Sequence, residues 1–208
     1  MTRRPAGELR QEILAATIGL LREHGDPEKV SIEAVVKAVG CTPPTLYYYF
    51  ANKSQLLVEA CAQEYAAFGA DLARATPETV NPRRDAQAMG SAYITWAREH
   101  PVEYRLLFMT PLGLGDDDPD FVEGESGAPQ MPDLSETPGL GDLVRLLARA
   151  QAAGSPVRDP NTDAFALWGI VHGFSSLAVT EPTIPLEFLI ASVRRASESI
   201  LGAAPDAS

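Results

Sequence analysis

The segment SIEAVVKAVGCTPPTLYYYFANK, residues 31–53, limits what this chain can fold into more than any other part of the sequence. Ser31 is a predicted N-cap, and the apolar residues that follow recur at the spacing of one face of a short helix. Gly40 is expected to end that helix, because glycine readily adopts the left-handed conformation that closes a helix. The pattern therefore predicts a short amphipathic helix followed by a tight turn.

A second short helix is predicted directly after that turn. Thr42 is its expected N-cap, and Pro43 and Pro44 fall in its first turn, where a missing amide proton costs little. Leu46 and Phe50 are its expected buried anchors. Two short helices joined by a tight turn with glycine predict a helix-turn-helix, whose second helix enters the major groove of DNA.

Three consecutive tyrosines on this second helix favour contact with DNA. Neighbouring side chains on a helix point about 100° apart, so the three rings cannot all lie in one core, and a buried hydroxyl needs a partner. We expect at least one or two of them to face solvent or phosphate; a plain antiparallel helix pair with surface tyrosines is the alternative. Hydroxyls, helix amides and lysines are the groups that commonly bind phosphate. The residues predicted to contact DNA are Ser31, Thr42, Pro43, Pro44, Thr45, Tyr47, Tyr48, Tyr49 and Lys53.

Residues 10–60 as a whole resemble the N-terminal domain of the TetR family of bacterial transcriptional regulators. The matching pieces are ILAA at 13–16, LLREHG at 20–25, SIEAV at 31–35, AVG at 38–40, TLYYYF at 45–50 and NKSQLL at 52–57. The resemblance implies an all-α homodimer that binds a double-stranded DNA operator and acts as a repressor, released by a small-molecule effector. The rival interpretation is a small-molecule-binding protein whose DNA-binding head has lost its function.

The two prolines depart from the pattern of this family. Pro43 and Pro44 stand where many members place a residue that reads a base edge, and neither ring can donate a hydrogen bond. Base reading is then expected to depend on apolar contact with thymine methyl groups and on DNA shape.

The charge distribution separates a neutral N-terminal part from an acidic remainder. The net charge is −11, yet residues 1–60 carry 7 basic and 7 acidic side chains, so the whole excess lies in residues 61–208. A neutral head can still present a local positive face, but we expect few phosphate contacts and weak non-specific affinity. Arg3 and Arg4 form a short basic tail that either reaches DNA or stays solvated.

Several classes of protein are excluded by the sequence as a whole. It contains no run of about 18 apolar residues and no apolar leader, so we expect a cytoplasmic protein without a membrane span. Cys41 and Cys61 are expected to be reduced and buried, with a redox pair as the alternative. We find no nucleophile–base pair, metal-ligand cluster or glycine-rich phosphate loop, and therefore expect neither an enzyme nor a bound metal or cofactor.

The chain is predicted to hold a helix-turn-helix domain at 1–52 and an effector-binding and dimerisation domain at 53–208. A helix that starts after Asn52, its predicted N-cap in a capping box with Gln55, is the expected lever between them. A glycine- and proline-rich acidic loop is predicted at about 110–137, and Asp116–Asp118 within it is expected to be solvated rather than metal-binding. About nine helices are predicted, at 8–25, 32–39, 42–50, 52–74, 83–100, 101–109, 140–153, 162–179 and 186–201.

The last two helices, residues 162–201, are the predicted homodimer interface. The first of them is apolar on all sides, which indicates burial on all sides. The second carries an apolar stripe that includes Phe188 and Leu189. Two such helices from each subunit form a four-helix interface about a two-fold axis.

An effector site is predicted among aromatic and sulfur-containing residues of the second domain. The segment LWGIVHG, residues 167–173, resembles the Trp-x-x-x-His-Gly signature of one type of TetR-family C-terminal domain. His172 is either a ligand-contacting group or a satisfied histidine of the core or interface, and the aromatic residues are either a cavity lining or plain core. The candidate ligand-binding residues are Met89, Trp96, Phe108, Met109, Trp168, His172 and Phe174.

Overall fold

The computed structural model describes residues 6–110 and 137–202. Within these two ranges the chain forms nine α-helices and no β-strand, which confirms the predicted all-α class. A 3-10 turn at Pro27–Lys29 precedes α2. In chain order the helices are α1 (Ala6–His24), α2 (Ile32–Val39), α3 (Pro43–Tyr49), α4 (Lys53–Ala75), α5 (Pro82–Glu99), α6 (Pro101–Phe108), α7 (Leu140–Ala152), α8 (Pro160–Thr180) and α9 (Leu186–Leu201).

The described residues divide into two compact units. The first unit comprises residues 6–65 and 102–110, and the second comprises residues 66–101 and 137–202. Helix α4 therefore supplies residues to both units. The boundary expected between residues 52 and 53 stays a prediction.

The first unit is built around α1, which packs against α2 and α3. Ile13 and Leu21 of α1 are fully buried in one apolar cluster with Val35 of α2 and Leu46 of α3. Thr17 is the buried polar residue of α1, and its hydroxyl donates to the Ile13 carbonyl at 2.8 Å, so this polar group is satisfied. The cluster gives the two helices of the motif a rigid support.

In the second unit, α5 packs against α7, α8 and α9. Ile94 and Ala97 of α5 are fully buried. The start of α5 is fixed by the buried carboxylate of Asp85, which accepts from the Thr79 hydroxyl at 2.7 Å and from the Thr79 amide at 3.0 Å. Arg149 of α7 lies 3.8 Å from the same carboxylate, so one buried acid ties the connection before α5 to α7.

The limits of the helices agree with the predicted ones to within two residues. Helix α8 begins at Pro160 rather than at residue 162, because Asp159 is its N-cap and accepts from the Thr162 amide at 3.0 Å. Phe188 belongs to the apolar stripe predicted for α9 and is 62% exposed. The neighbouring Leu189 takes the buried position, and adjacent helical side chains point about 100° apart.

Some predicted features lie outside the described residues. These are the basic tail at Arg3 and Arg4, nearly all of the acidic loop predicted at about 110–137, and its aspartates Asp116–Asp118. Among the described residues, no helix is both long enough and apolar enough to cross a membrane.

Candidate nucleic-acid interface

Helix α2 starts and stops where its sequence predicts. The Ser31 hydroxyl accepts from the Ala34 amide at 3.1 Å and so caps the helix. Gly40 has φ 72°, in the left-handed region, and its amide donates to the Val36 carbonyl at 2.9 Å. These two features, both predicted, fix the direction in which the chain enters α3.

Helix α3 spans only seven residues and is held by burial of one side. Leu46 and Phe50 are both fully buried, as predicted, and a helix this short is not stable without such tertiary support. Arg10 of α1 lies over the Phe50 ring, 5.1 Å from guanidinium carbon to ring centroid, and forms an ion pair with Glu59 of α4. This clamp was not predicted, because it joins residues that lie far apart in the chain.

Two of the three tyrosines of α3 face solvent. Tyr48 is 81% exposed and Tyr47 is 48% exposed, whereas Tyr49 is partly buried against the apolar cluster of the first unit. The rings of Tyr48 and Tyr49 meet edge to face with centroids 5.1 Å apart. The expectation that one or two tyrosines face outward is therefore confirmed, and the exposed hydroxyls are available to a phosphate group.

The N-terminus of α3 differs from the predicted cap. Thr42 occupies the N-cap position, but its hydroxyl makes no bond to a helix amide. Pro43 and Pro44 have no amide proton, and the Thr45 amide donates to the Thr42 carbonyl at 2.9 Å. The Thr42 hydroxyl instead lies 2.9 Å from the Thr45 hydroxyl. This end of α3 therefore offers a pair of hydroxyls, rather than a row of free amides, to an anion.

Lys53 begins α4 beside the motif and is partly buried. Its Nζ donates to the Glu28 carbonyl at 3.4 Å, and an ammonium group with three donors retains capacity for a phosphate. The capping box before α4 is present in modified form. Asn52 accepts from the Gln55 amide at 2.7 Å, while the Gln55 side chain accepts from the Ala51 amide at 2.6 Å rather than from that of Asn52.

A second charged cluster of the first unit was not predicted. Arg22 of α1 donates to one carboxylate oxygen of Glu64 from Nη2 at 2.7 Å and from Nε at 3.1 Å, and its Nε lies 3.3 Å from Glu103 of α6. Glu64 is buried, so this pairing neutralises a carboxylate that lies out of water. The cluster joins α1, α4 and α6, and no local sequence signal marks residues at such separations as partners.

The predicted effector-contacting residues are spread over several places. In the second unit, Met89 lines a cavity of about 200 Å³, and Trp96 lines a cleft of about 330 Å³ and donates from its indole nitrogen to Asp71 at 3.2 Å. In the first unit, Phe108 contacts the Tyr65 ring, and Met109 is 44% exposed. Helical spacing assigns these residues to a face of their helix, but it does not show which of them share a cavity.

Trp168 and His172 are brought together, because residues four apart on a helix are neighbours. Their rings stack with centroids 5.1 Å apart and planes at 22°. The Tyr93 hydroxyl of α5 lies 3.4 Å from His172 Nδ1, and burial lowers the pKa of His172 below its ordinary value. Phe174 is partly buried on the same helix. This aromatic group on α8 and α5 is the part of the predicted effector site that the structure assembles.

A short exposed helix packed on two other helices in the first unit, together with an all-helical second unit, is typical of a helix-turn-helix regulatory protein. Residues 13–60 match the family profile described as bacterial regulatory proteins of the tetR family. Residues 86–199, more than half of the chain, match the tetracyclin repressor-like C-terminal domain. The chain belongs to the TetR family of bacterial regulatory proteins, as its sequence motifs predicted, and is a DNA-binding transcriptional regulator by class.

Individual relatives are more distant. Nucleoid occlusion factor SlmA from Actinobacillus pleuropneumoniae is 28% identical over 120 residues, which are 56% of this chain and 58% of SlmA. The chain thus matches little more than half the length of this curated relative. A protein of unknown function from Rhodococcus sp. RHA1 superposes with a TM-score of 0.68 at 20% identity, over 94% of this chain and 96% of that one. RolR in complex with resorcinol superposes with a TM-score of 0.63 at 15% identity, over 98% of each chain. Similarity at these identities establishes the fold.

Proposed function

We propose that this chain is a homodimeric transcriptional repressor that binds a DNA operator through α3 and leaves it when a small-molecule effector binds. The observation that carries the proposal is the division of α3 into two sides. Leu46 and Phe50 are fully buried, while Tyr47 and Tyr48 are 48% and 81% exposed. Exposed aromatic side chains with hydroxyls, presented on a motif that fits the major groove, suit contact with the DNA backbone.

The proposed DNA contacts divide by chemistry. The side chains of Ser31, Thr42, Thr45, Tyr47, Tyr48, Tyr49 and Lys53 supply hydroxyl and ammonium donors, which suit phosphate oxygens. Pro43 and Pro44 are exposed at the start of α3 and supply apolar surface, which suits thymine methyl groups. The hydrogen-bond donors around α3 would then position the protein on the duplex, and the fit of the two rigid proline rings against the bases would give the sequence preference.

The test is a fluorescence-anisotropy titration of the chain against duplex DNA from upstream of its own coding region, at about 50 and 200 mM salt. We expect saturable binding that weakens with salt. Replacing two hydroxyls, in the double variant Tyr47→Phe, Tyr48→Phe, should weaken binding by at least about 100-fold, because two hydrogen bonds to charged groups are lost and each contributes about 1.5–3 kcal/mol. Thermal stability should not change, since both hydroxyls are exposed.

A matched control is Arg158→Gln, which alters an exposed residue of the second unit. It should leave DNA affinity within about twofold, since the substitution of an exposed side chain usually has little effect. Equal affinities for the tyrosine variant and the parent chain would contradict the proposed contacts. Absence of any salt-dependent binding would instead favour a small-molecule-binding protein with a non-functional head.

The homodimer is supported by apolar surface that a single protomer leaves uncovered on α8 and α9. Phe165 and Leu177 of α8 are 46% and 42% exposed, and Phe188 of α9 is 62% exposed. Gly169 and Gly173 of α8 are also exposed, and nothing lies within 4 Å of a Cβ built on either. Exposed aromatic and aliphatic side chains next to glycines suit close packing of the same helices from a second copy about a two-fold axis.

The effector is proposed to bind near Trp168 and His172, where stacked rings and a neighbouring tyrosine hydroxyl offer both apolar and polar contact. Met89, Trp96 and Phe174 remain candidates in the second unit, and Phe108 and Met109 in the first. RolR, which shares the fold, was solved with the small molecule resorcinol. That structure supports a small ligand for this fold without identifying the ligand of this chain.

Release from DNA is proposed to pass through α4, a single helix of 23 residues with residues in both units. In a dimer, two recognition helices fit DNA when their half-sites are about 34–36 Å apart, or multiples of that distance. An effector that binds more tightly to the dimer conformation whose recognition helices do not fit these half-sites increases the population of that conformation, and the dimer leaves DNA. The proposed role is regulatory rather than catalytic, and the proposed location is the cytoplasm.

A further inference from the structure

A cleft of about 390 Å³ on the second unit is lined by arginines from two helices. Arg83 and Arg84 come from the first turn of α5, and Arg194 comes from α9. The polar side chains of Asn81, Gln87 and Ser91 also line it, and no carboxylate of the residues that the structure describes does so. Three guanidinium groups around one concavity create a local positive field.

This cleft contrasts with the charge of the chain that surrounds it. Residues 61–208 carry 10 basic and 21 acidic side chains, and three of those ten basic residues line this one cleft. Elsewhere in the second unit, arginines have carboxylates three residues away as partners, as in the pairs Arg74–Asp71, Arg145–Asp142 and Arg195–Glu198. Within the described residues, the guanidinium groups of Arg84 and Arg194 make no ion pair or hydrogen bond.

The position of the cleft increases its attraction for anions. The first turn of a helix carries partial positive charge, which favours acidic residues and disfavours arginines there. Asp85 is the acidic residue of the first turn of α5, but it is fully buried and is held by Thr79 and Arg149. The carboxylate of Asp85 is therefore paired with Arg149 and is not among the groups that line the cleft.

From these observations we infer that the cleft binds a small phosphate-bearing anion, by bidentate hydrogen bonds from Arg84 and Arg194. Arginine presents a planar pair of donors that matches phosphate oxygens, and a phosphate dianion neutralises more of the clustered charge than one carboxylate does. The volume is in the range of small-molecule sites, which allows more than a single inorganic ion. This inference goes beyond the proposed regulatory function and does not depend on DNA binding.

The test is isothermal titration calorimetry of the full chain with pyrophosphate, inorganic phosphate and citrate, each at the same ionic strength. We expect saturable binding of pyrophosphate, tighter than that of phosphate or citrate. Arg84→Gln and Arg194→Gln should each weaken pyrophosphate binding by about 10- to 100-fold, as the loss of a charge-assisted hydrogen bond predicts. Arg84→Lys, which keeps the charge but loses the bidentate geometry, should weaken it by less than Arg84→Gln does.

Arg158→Gln is the matched control, because Arg158 is an exposed arginine of the same unit that does not line the cleft. It should leave pyrophosphate affinity within about twofold, since general screening by one surface charge is weak. Circular dichroism should give the same helical content for every variant. The absence of saturable heat with pyrophosphate, an equal loss in Arg158→Gln, or tighter binding of citrate would overturn the inference.

Discussion

Helices α3 and α8 both expose large side chains, but they do so in opposite ways. Helix α3 has seven residues, two buried anchors that include the capping Phe50, and exposed rings that end in hydroxyls. Helix α8 has 21 residues and buries one side, and its exposed large residues, Phe165 and Leu177, are purely apolar. The difference teaches that the chemistry of an exposed side chain, rather than its exposure, indicates the partner: polar-tipped rings suit a hydrated polyanion, whereas apolar side chains suit another protein surface.

The largest expected effect comes from the anchor of α3. Leu46→Ala should lower the free energy of unfolding of the first unit by about 2–5 kcal/mol, because it empties a fully buried site under a helix that cannot stand alone. Urea unfolding followed by circular dichroism measures this. Tyr48→Ala on the same helix should change it by less than about 0.5 kcal/mol, since that ring is 81% exposed. Similar losses for both variants would mean that α3 is not divided into a buried and a free side.

The next largest effect tests whether the exposed side of α8 is a free surface or a dimer interface. Gly173→Ala should stabilise an isolated protomer by about 1 kcal/mol, because alanine favours a helix and the added Cβ meets nothing within 4 Å. If α8 packs closely against a second copy, the same methyl group should weaken dimerisation by about 1–3 kcal/mol through overpacking. Analytical ultracentrifugation gives the dimer affinity, and thermal unfolding of the dissociated chain gives the protomer stability.

Gly69→Ala is the contrasting variant for this measurement. A Cβ at that position would lie 2.6 Å from Pro138 Cβ, so it should destabilise the protomer in spite of the same gain in helix propensity. A dimer that is unaffected by Gly173→Ala would count against the α8 interface.

A smaller effect should appear in the pH dependence of stability. Burial lowers the pKa of His172 in the folded chain, so the unfolded chain binds more protons as the pH falls below the ordinary histidine value of about 6.5. Stability contributed by the neutral ring is therefore present above that pH and is lost as the pH falls towards the lowered pKa of the folded chain. His172→Gln should make the melting temperature depend less on pH between about pH 5 and 7. An unchanged slope would show that other groups control it.

The smallest effect concerns the two thiols. Burial and the neighbouring Glu64 raise the pKa of Cys61 to about 11, whereas Cys41 is only partly buried. Since the thiolate is the reactive species, iodoacetamide at about pH 8 should modify Cys41 well before Cys61. Mass spectrometry of timed samples measures this, and Cys41→Ser should leave a chain that reacts slowly. Equal rates at both cysteines would contradict the buried setting of Cys61.

Local signals predicted the framework of the motif well. The cap at Ser31, the left-handed Gly40 and the burial of Leu46 and Phe50 each depend on residues within a few positions, and all are present in the structure. The predicted side-chain cap at Thr42 is not formed, and the reason lies in the residues that follow it. Pro44 has no amide proton and the Thr45 amide donates to the Thr42 carbonyl, so the Thr42 hydroxyl lies next to the Thr45 hydroxyl instead.

Contacts between distant segments of the chain could not be predicted from local sequence signals. The stacking of Arg10 on Phe50 depends on how α1 crosses α3, and the pairing of Arg22 with Glu64 and Glu103 depends on three helices meeting. The candidate effector residues show the same limit, because periodicity assigns a helix face but not the depth of each side chain. The exposure of Phe188 next to the buried Leu189 is the plainest case.

The paired rings of Pro43 and Pro44 have a consequence for selectivity. A pyrrolidine ring has almost no rotamer freedom to lose when it meets a surface, and it cannot turn aside or form a compensating bond when the surface is wrong. In the proposed complex with DNA, these rings at the start of α3 would exclude a base step that protrudes or needs a hydrogen-bond donor, and would accept a step with a flat methyl-bearing edge. Sequence discrimination would then depend on the stiffness of the protein rather than on the number of hydrogen bonds that it makes.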